Sequence, residues 1–466
     1  MFKYGFAATI VALSSATAMA QSVNVPTQAQ RARDFANSIG VNMHLNSEWD
    51  TAYSDAANGG TGTVGTNAAT GAVTVGWTTT NVSKLVAALA YTGINHGRVS
   101  LAATYVRDRV LAVAMAIPSF KVDDQVDTGT PISTHTTLAQ SLNGRVETFE
   151  GMNEATTRAN YEGLWGAAAV CQFQTELRTA VDGYNWANHS NIPLLAPSVG
   201  GDSGGFAALA ACASQSTASN GHFYSDYGAP TAQLLYDIPG TNQDAPAGAP
   251  IYSTESGPIT NPETNRGMSE DAAAKVTLAG TLGFYASGVQ RSYLYEAVDE
   301  NPQSPQLNDN GNWSETEMHF GMFHNDWTPK YAAQMLHAQA RLMADYSTSA
   351  ATFTPAKLAF GLSGLPGTAH SLLLQKGTGI YVLALWNESP QMWVPATDNS
   401  WGWEQATAPV AVTVSFAAST NLRLYDPFNA ATIDASGWAT PIKNLASTTA
   451  TQVTLTDHPV YLLLRQ

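Results

Sequence analysis

The stretch DAAAKVTLAGTLGFYASGVQRSYLYEA (residues 271–297) joins an Ala-rich amphipathic segment to a short apolar run. The same theme recurs between about residues 31 and 344, where each apolar run ends in polar or charged residues. The runs are GVNMHL (40–45), INHGRV (94–99), RVLAVAMAI (109–117), RVETFEG (145–151), IPLLAPSV (192–199), GHFYS (221–225), PIYSTES (250–256) and RSYLYEA (291–297). Eight apolar strands that alternate with helices predict an α/β fold whose parallel sheet closes into a (β/α)8 TIM barrel.

The pattern changes after about residue 348. Short β-rich runs such as VAVTVSFAAS and TQVTLTDHPVYLLLRQ are separated by Gly, Pro, Asn and Thr, without a helical period. This pattern is typical of a β-sandwich. We therefore expect a barrel over residues 21–347 and a C-terminal β-sandwich domain over 348–466 that packs on it. The Gly/Thr-rich stretch 56–81 is expected to form a long loop or a small hairpin.

Residues 1–20 have the pattern of a cleaved signal peptide. Lys3 is followed by the apolar segment FAATIVALSSATA, and AMA precedes Gln21. The apolar segment is shorter than the roughly 20 residues that a membrane span needs, and no later stretch is long and apolar enough. We expect a secreted or periplasmic monomer without a membrane span.

Composition excludes several classes of partner. The chain has 21 Lys and Arg against 36 Asp and Glu, a formal net charge of -15, which argues against binding nucleic acid or an anionic membrane. It has no Gly-x-Gly-x-x-Gly motif, no P-loop and no paired metal histidines, so we expect no cofactor and no metal. Cys171 and Cys212 are the only cysteines, and their spacing is compatible with either a disulfide or two buried thiols.

Acidic residues stand at the ends of two predicted strands. Asn153 and Glu154 follow the fourth run, and Glu255 ends the seventh, 101 residues later, close to three βα units of roughly 30–35 residues. Arg98 precedes Glu154 by 56 residues, which fits two units. Catalytic groups of such barrels stand at the C-terminal ends of strands. Two carboxyls held in different protonation states are what glycoside cleavage requires.

The motifs resemble those of clan A glycoside hydrolases, which are (β/α)8 retaining glycosidases. EGMNE (150–154) resembles the strand-4 signature, IYSTESG (251–257) the strand-7 nucleophile signature and GHFY (221–224) a strand-6 His-x-Tyr. The resemblance covers most of residues 35–340 and is nearest to family 39-like enzymes and related bacterial exopolysaccharide hydrolases. It implies a carbohydrate substrate, either a polysaccharide or an oligosaccharide.

The resemblance also implies a role for each matching residue. Glu154 would be the general acid/base and Glu255 the nucleophile of a double displacement. Asn153 would bind the sugar 2-hydroxyl, and Arg98 would hold Glu255 ionised. Tyr224 would orient the nucleophile, with His222 beside it. Further expected substrate contacts are Asn42, His44, Tyr295, Glu296 and Trp327.

The eighth strand departs from the clan pattern. Many members carry a Trp there as the floor of the −1 subsite, whereas this chain offers Tyr293, Tyr295 and Glu296, with Trp327 farther along.

Glu150 would face the same way as Glu154 in an extended strand, and we expect it to be buried and paired structurally.

Two other functions have some support in the sequence. The segment GGDSGGF (200–206) resembles a serine protease nucleophile segment, but the chain lacks the accompanying His motif, and a helix cap is the better interpretation. The alternative to a hydrolase is a non-catalytic carbohydrate-binding barrel that acts with the β-sandwich as a recognition module.

Overall fold

The computed structural model describes residues 26–45, 64–66, 73–75, 79–155, 159–199, 207–225, 228–241, 243–261, 267–299, 318–388, 391–397, 402–405, 407–429 and 440–466. The expected signal peptide (1–20) and the segment GGDSGGF (200–206) lie outside the described residues. Within those ranges, no helix combines the length and the apolar character that a membrane crossing requires.

Eight parallel strands form the barrel in chain order. Each pairs with its neighbour, and the eighth pairs with the first, with Ser292 opposite Ile39. A parallel bridge between Leu195 and Ala218 joins the fifth strand to the start of the sixth and closes the ring. The strands are Ile39–Asn42, His96–Val99, Lys121–Gln125, Val146–Glu150, Leu194–Leu195, Ser219–His222, Ile251–Ser256 and Val289–Leu294. The predicted (β/α)8 barrel is confirmed.

A helix follows every barrel strand. The helices are Thr79–Thr92, Thr104–Ala116, Ile132–Ser141, Ala167–Asn188, the 3-10 helix Ala210–Gln215, Pro230–Thr241, Glu270–Ala286 and Tyr331–Met343, and the short helix Ala32–Asn37 precedes the first strand. Helix Glu270–Ala286 begins at Ser269, whose hydroxyl accepts a hydrogen bond from the Ala272 amide. Serine is a favoured N-cap, and Glu270 and Asp271 complement the positive end of the helix dipole.

The predicted position of the third strand is wrong. Residues 109–117 lie largely within helix Thr104–Ala116, and the third strand is the following segment, Lys121–Gln125. A short apolar run has no periodicity that separates a strand from a buried helix face. The true strand was missed because two aspartates, Asp123 and Asp124, occupy its centre, and both are fully buried.

The long strands of the C-terminal region pair antiparallel in one sheet. Its longest strand, Val410–Tyr425, pairs with Lys357–Ser363 near its start and with Val460–Arg465 near its end. These strands share an apolar core of their own, as expected for the predicted C-terminal β domain. Strand Tyr381–Asn387 is buried throughout, because side chains such as Val382 and Trp386 on its other face join the barrel core. The remaining strands are Ala369–Gln375 and Lys443–Leu455.

The first described residues belong to this sheet, although the prediction assigned them to the barrel. Strand Pro26–Gln28 pairs with Lys357–Ser363, and strand Gln30–Arg31 pairs with Ala369–Gln375. The partners are more than 300 residues away, so no local pattern could show the pairing. The other strands of the described residues form three small antiparallel pairs: Val64–Thr66 with Val73–Val75, Asn160–Tyr161 with Leu164–Trp165, and Trp393–Val394 with Trp403–Glu404.

The two cysteines form a disulfide, which decides between the two possibilities that their spacing left open. Cys171 and Cys212 have Cα atoms 5.3 Å apart. The bond joins helix Ala167–Asn188, which follows the fourth strand, to the 3-10 helix Ala210–Gln215, which follows the fifth.

Candidate active site

Arg98, on the second barrel strand, donates five hydrogen bonds at the C-terminal end of the barrel. Its Nε and Nη2 donate to the two oxygens of Glu150 at 2.5 and 2.9 Å. Its Nη1 donates to Glu255 at 2.7 Å and to Asn42 at 2.9 Å, and its Nη2 also reaches Asn153 at 2.6 Å. Burial opposes the charge, but the carboxylates of Glu150 and Glu255 outweigh it and raise the pKa of Arg98.

Glu150 lies beneath the site and is fully buried. Besides Arg98, its Oε1 accepts hydrogen bonds from Asn220 and from the Thr254 hydroxyl, both at 3.0 Å. It therefore links the second, fourth, sixth and seventh strands. Burial and the charge of Glu150 raise the pKa of the neighbouring Asp123 well above its usual value, which favours a neutral Asp123.

Glu255 is held from two sides at the end of the seventh strand. Oε1 accepts from Arg98, and Oε2 accepts from the Tyr224 hydroxyl at 2.8 Å. Two residues later, Gly257 has a φ of +153°, and a Cβ there would lie 2.6 Å from the Tyr295 carbonyl oxygen. Only glycine fits this close approach, which lets the seventh strand end against the eighth.

Glu154 follows the fourth strand in an uncommon backbone conformation. Its φ is +43°, in the left-handed region, and its backbone N–H donates to the Ser198 hydroxyl at 2.9 Å. Non-glycine residues held in this region concentrate at functional sites. The Glu154 side chain is 51% exposed, and its Oε1 lies 3.3 Å from Nδ1 of His222. This hydrogen bond is the main cause that lowers the pKa of Glu154.

His222 stands between the two carboxylates. Its Nδ1 lies 3.3 Å from Glu154 Oε1 and 3.3 Å from Glu255 Oε2, and its side chain is nearly completely buried. One ligand atom from each of the three residues lies within 4.8 Å of the other two. Such a group could hold a cation in geometric terms, but a cation on Oε2 of Glu255 would compete with the Tyr224 hydroxyl.

The expected contacts from the first and eighth strands divide into two groups. Asn42 is buried below the site, where it accepts from Arg98 and donates to the Thr254 carbonyl oxygen. His44 and Glu296 lie together, with Nδ1 3.4 Å from Oε2, and the His44 ring contacts Tyr295 at 5.4 Å between centroids. Glu296 is fully buried.

Phe320 lies between Tyr295 of the eighth-strand group and Tyr224, the hydrogen-bond partner of Glu255. Its ring contacts Tyr295 at 5.0 Å and Tyr224 at 6.0 Å between centroids. Tyr293 is not part of this group. It is fully buried, and its ring packs against Gly40, where a Cβ would lie 2.4 Å away. Trp327 packs partly buried on the core cluster of the barrel, and its backbone N–H donates to the His324 carbonyl oxygen.

Sequence reasoning missed several supporting residues. Ser198, Asn220 and Thr254 hold the site from below, and Phe320 packs beside Tyr224. The first three are polar residues within or beside apolar strands, a pattern that the sequence itself shows. Phe320 comes from a loop after the eighth strand, and nothing in its local sequence indicates the contact.

Comparison with known proteins shows that the fold is similar to those of enzymes whose structures are solved. No protein-family model matches the sequence, and no curated protein matches it. Among solved structures, the GH39 enzyme from Xanthomonas axonopodis pv. citri is similar with a TM-score of 0.54 at 13% identity, over 94% of this chain and 95% of that one.

Two further structures are similar at lower scores. A family 39 glycoside hydrolase from Bacteroides cellulosilyticus WH2 has a TM-score of 0.49 at 14% identity, over 93% of this chain and 82% of that one. A GH39 β-xylosidase from Caulobacter crescentus has a TM-score of 0.48 at 12% identity, over 94% and 98%. The similarity to the Xanthomonas GH39 enzyme, over 94% of this chain, shows that the chain shares the fold of a solved family 39 glycoside hydrolase.

Proposed function

We propose that this protein is a retaining glycoside hydrolase that cleaves O-glycosidic bonds of a polysaccharide or oligosaccharide. The observation that carries the proposal is the position of Glu154 and Glu255 on either side of His222, at the C-terminal end of a (β/α)8 barrel, with one carboxylate oxygen of each within 4.8 Å of the other. Carboxyl groups about 5–5.5 Å apart suit direct attack by one of them, whereas inverting enzymes leave about 6.5–9.5 Å for a water molecule.

The proposed reaction has two displacements. Glu255 attacks the anomeric carbon as the bond to the leaving oxygen breaks, and Glu154 gives that oxygen its proton. Glu154 then takes a proton from water, and the water oxygen displaces Glu255 from the sugar. The different surroundings of the two carboxyls suit this division, because Arg98 and Tyr224 both donate to Glu255.

Glu154 must carry a proton when the substrate is bound. In the structure, the His222 hydrogen bond lowers the pKa of Glu154, which opposes that requirement. Half of the Glu154 side chain is exposed to water. A sugar seated over Glu255 would remove this water, and loss of hydration raises the pKa of a carboxyl. We therefore assign protonation of Glu154 to the substrate complex.

Neighbouring polar groups provide candidate sugar contacts. The Asn153 side chain is exposed, and its carbonyl oxygen accepts from Arg98, so its amide N–H groups are oriented to donate. We propose that they bind the 2-hydroxyl. His44, Tyr295 and Glu296 form the other side of the proposed sugar site.

We also propose that the protein acts outside the cytoplasm. The signal-peptide pattern of residues 1–20 supports this location, as does the disulfide between Cys171 and Cys212, because disulfides persist in oxidising compartments.

The test is hydrolysis of a panel of aryl glycosides and polysaccharides by the wild type and by Glu154→Gln and Glu255→Gln. We expect about a 10²–10⁴-fold loss from Glu154→Gln, the usual contribution of a general acid, and abolished turnover from Glu255→Gln. Asp182→Asn, the same carboxylate-to-amide exchange on the exposed side of a helix, is the matched control.

Two measurements on an active substrate test the mechanism itself. Proton NMR of the first product should show the anomeric configuration of the substrate. A 2-deoxy-2-fluoro aryl glycoside should label Glu255, as read by peptide mass spectrometry. Inverted product would overturn retention, and glycan binding without cleavage by the wild type would favour the non-catalytic alternative.

A further inference from the structure

The C-terminal sheet reaches the segment that carries Tyr224. We propose that Glu388, which follows strand Tyr381–Asn387, is a positioning residue for the hydrogen bond between Tyr224 and Glu255. The proposal rests on the proposed glycosidase function, because it assigns to the sheet a part in the same site.

Glu388 binds the start of helix Pro230–Thr241. Its Oε2 accepts from the Thr231 backbone N–H at 3.0 Å, and its Oε1 accepts from the Thr231 hydroxyl at 2.5 Å. The Trp386 indole donates to the same Oε1 at 2.9 Å, and Glu388 is only 2% exposed. A carboxylate here satisfies an amide that the helix cannot pair and lies at the positive end of the helix dipole.

Thr231 also packs tightly on a neighbouring helix. A Cβ on Gly283 of helix Glu270–Ala286 would come within 2.2 Å of the Thr231 hydroxyl. The start of helix Pro230–Thr241 is therefore held both by its packing on Gly283 and by the Glu388 carboxylate. Removal of the carboxylate takes away one of these two supports.

The helix start is the anchor of the segment that presents His222 and Tyr224. At one end of this segment, the Phe223 backbone N–H donates to the Glu255 carbonyl oxygen at 2.8 Å. At the other end, Gly228 forms an antiparallel bridge with Gln391, three residues after Glu388. Residues that follow strand Tyr381–Asn387 thus contact the chain at Gly228, where this segment ends, and at Thr231, in the first turn of the next helix.

A hydrogen bond of 2.8 Å between Tyr224 and Glu255 tolerates little displacement of its donor. Catalytic groups need placement within about 0.5 Å, which their supporting residues provide. Glu388 supplies that support from outside the barrel. The C-terminal sheet is therefore a structural part of the site.

A double-mutant cycle in kcat tests the proposal. Glu388→Gln should lower kcat about 10-fold while KM stays within about twofold, because the chemical step is affected more than binding. In a Tyr224→Phe background, Glu388→Gln should cost no more than about twofold, since the group that it positions is already gone. Equal losses in both backgrounds would overturn the proposal.

Companion variants separate positioning from folding. Thr231→Val removes the hydroxyl contact and should lower kcat as Glu388→Gln does, whereas Thr231→Ser should keep wild-type kcat. Glu404→Gln is the control within the sheet region, because Glu404 binds Lys275 and not the Tyr224 segment. A thermal scan confirms that each variant is folded before its kcat is compared.

Crystal structures of the wild type and of Thr231→Val give a readout that does not need turnover. The distance between the Tyr224 hydroxyl and Glu255 should lengthen beyond hydrogen-bond range in the variant. An unchanged distance would overturn the positioning role even if the wild type hydrolysed no glycoside. Absence of hydrolysis with a lengthened distance would instead overturn only the proposed function.

Discussion

Arg98 and Glu150 form a two-point ion pair inside the barrel, with nitrogen–oxygen distances of 2.5 and 2.9 Å. Both residues are buried, and the same guanidinium holds Glu255. The pair fixes the direction of the Arg98 guanidinium, so the position of Glu255 depends on a carboxylate that is itself fully buried.

Glu150→Gln should be strongly destabilising. Breaking a buried ion pair by removing one partner costs about 3–5 kcal/mol. The lower end of this range applies here, because Arg98 keeps Glu255 as a partner. We expect the free energy of unfolding, measured by urea titration, to fall by about 3 kcal/mol or more. Asp182→Asn breaks the exposed pair with Arg178 and should cost less than about 1 kcal/mol. Equal losses would contradict a buried structural pair.

His222→Ala should move the basic limb of the pH profile. The His222 hydrogen bond is the main cause that lowers the pKa of Glu154, so its removal should raise that pKa. The acid then keeps its proton to higher pH. The basic limb of kcat/KM, which reports the free enzyme, should shift upward with a loss of kcat. A downward shift would contradict the assignment of Glu154 as the acid.

Loss of the disulfide should lower stability without loss of activity in the folded protein. The bond closes a loop with a sequence separation of 41 residues, for which chain entropy gives about 4 kcal/mol. The Cys171→Ser/Cys212→Ser variant should unfold at lower urea concentration than the oxidised wild type. Reductant should shift the wild type toward the variant and leave the variant unchanged; sensitivity of the variant to reductant would refute this interpretation.

Asp244→Asn should change how stability depends on pH. Burial raises the pKa of Asp244 from 3.8 to about 8. Between about pH 4 and pH 8 the folded chain keeps this proton while the unfolded chain loses it, so the free energy of unfolding falls as pH rises.

The Asp244 substitution removes that fall, because asparagine stays neutral and retains an acceptor for the Ser219 hydroxyl. Relative to the wild type, the variant should therefore gain stability from pH 4 to pH 8, as measured by urea unfolding at each pH. A constant difference across this range would show that Asp244 has no raised pKa.

The barrel was predictable because its signal is local and repeated. Seven of the eight strands lie in or beside a short apolar run followed by an amphipathic helix, and the spacing of Arg98, Glu154 and Glu255 follows from that repeat. The third strand was not predicted because Asp123 and Asp124 interrupt its apolar pattern. Their burial depends on partners from other elements, such as His135 beside Asp124, which a strand pattern does not show.

Contacts between distant parts of the chain were not predictable. Glu388 looks like an ordinary polar residue after a strand, and its partner Thr231 is 157 residues away. The pairing of residues 26–31 with the C-terminal sheet is equally non-local. In both cases the contact depends on how the sheet packs on the barrel.

The pairing of residues 26–31 with the C-terminal sheet has a mechanical consequence. A force that pulls residue 26 away from residue 466 acts first on the strands of one sheet, because Pro26–Gln28 and Val460–Arg465 both belong to it. The barrel lies between these strands in the chain. The pulling force therefore reaches the barrel only after strands of the sheet have separated. In a single-molecule force-extension measurement, we expect strands of the sheet to separate first and the barrel to unfold afterwards.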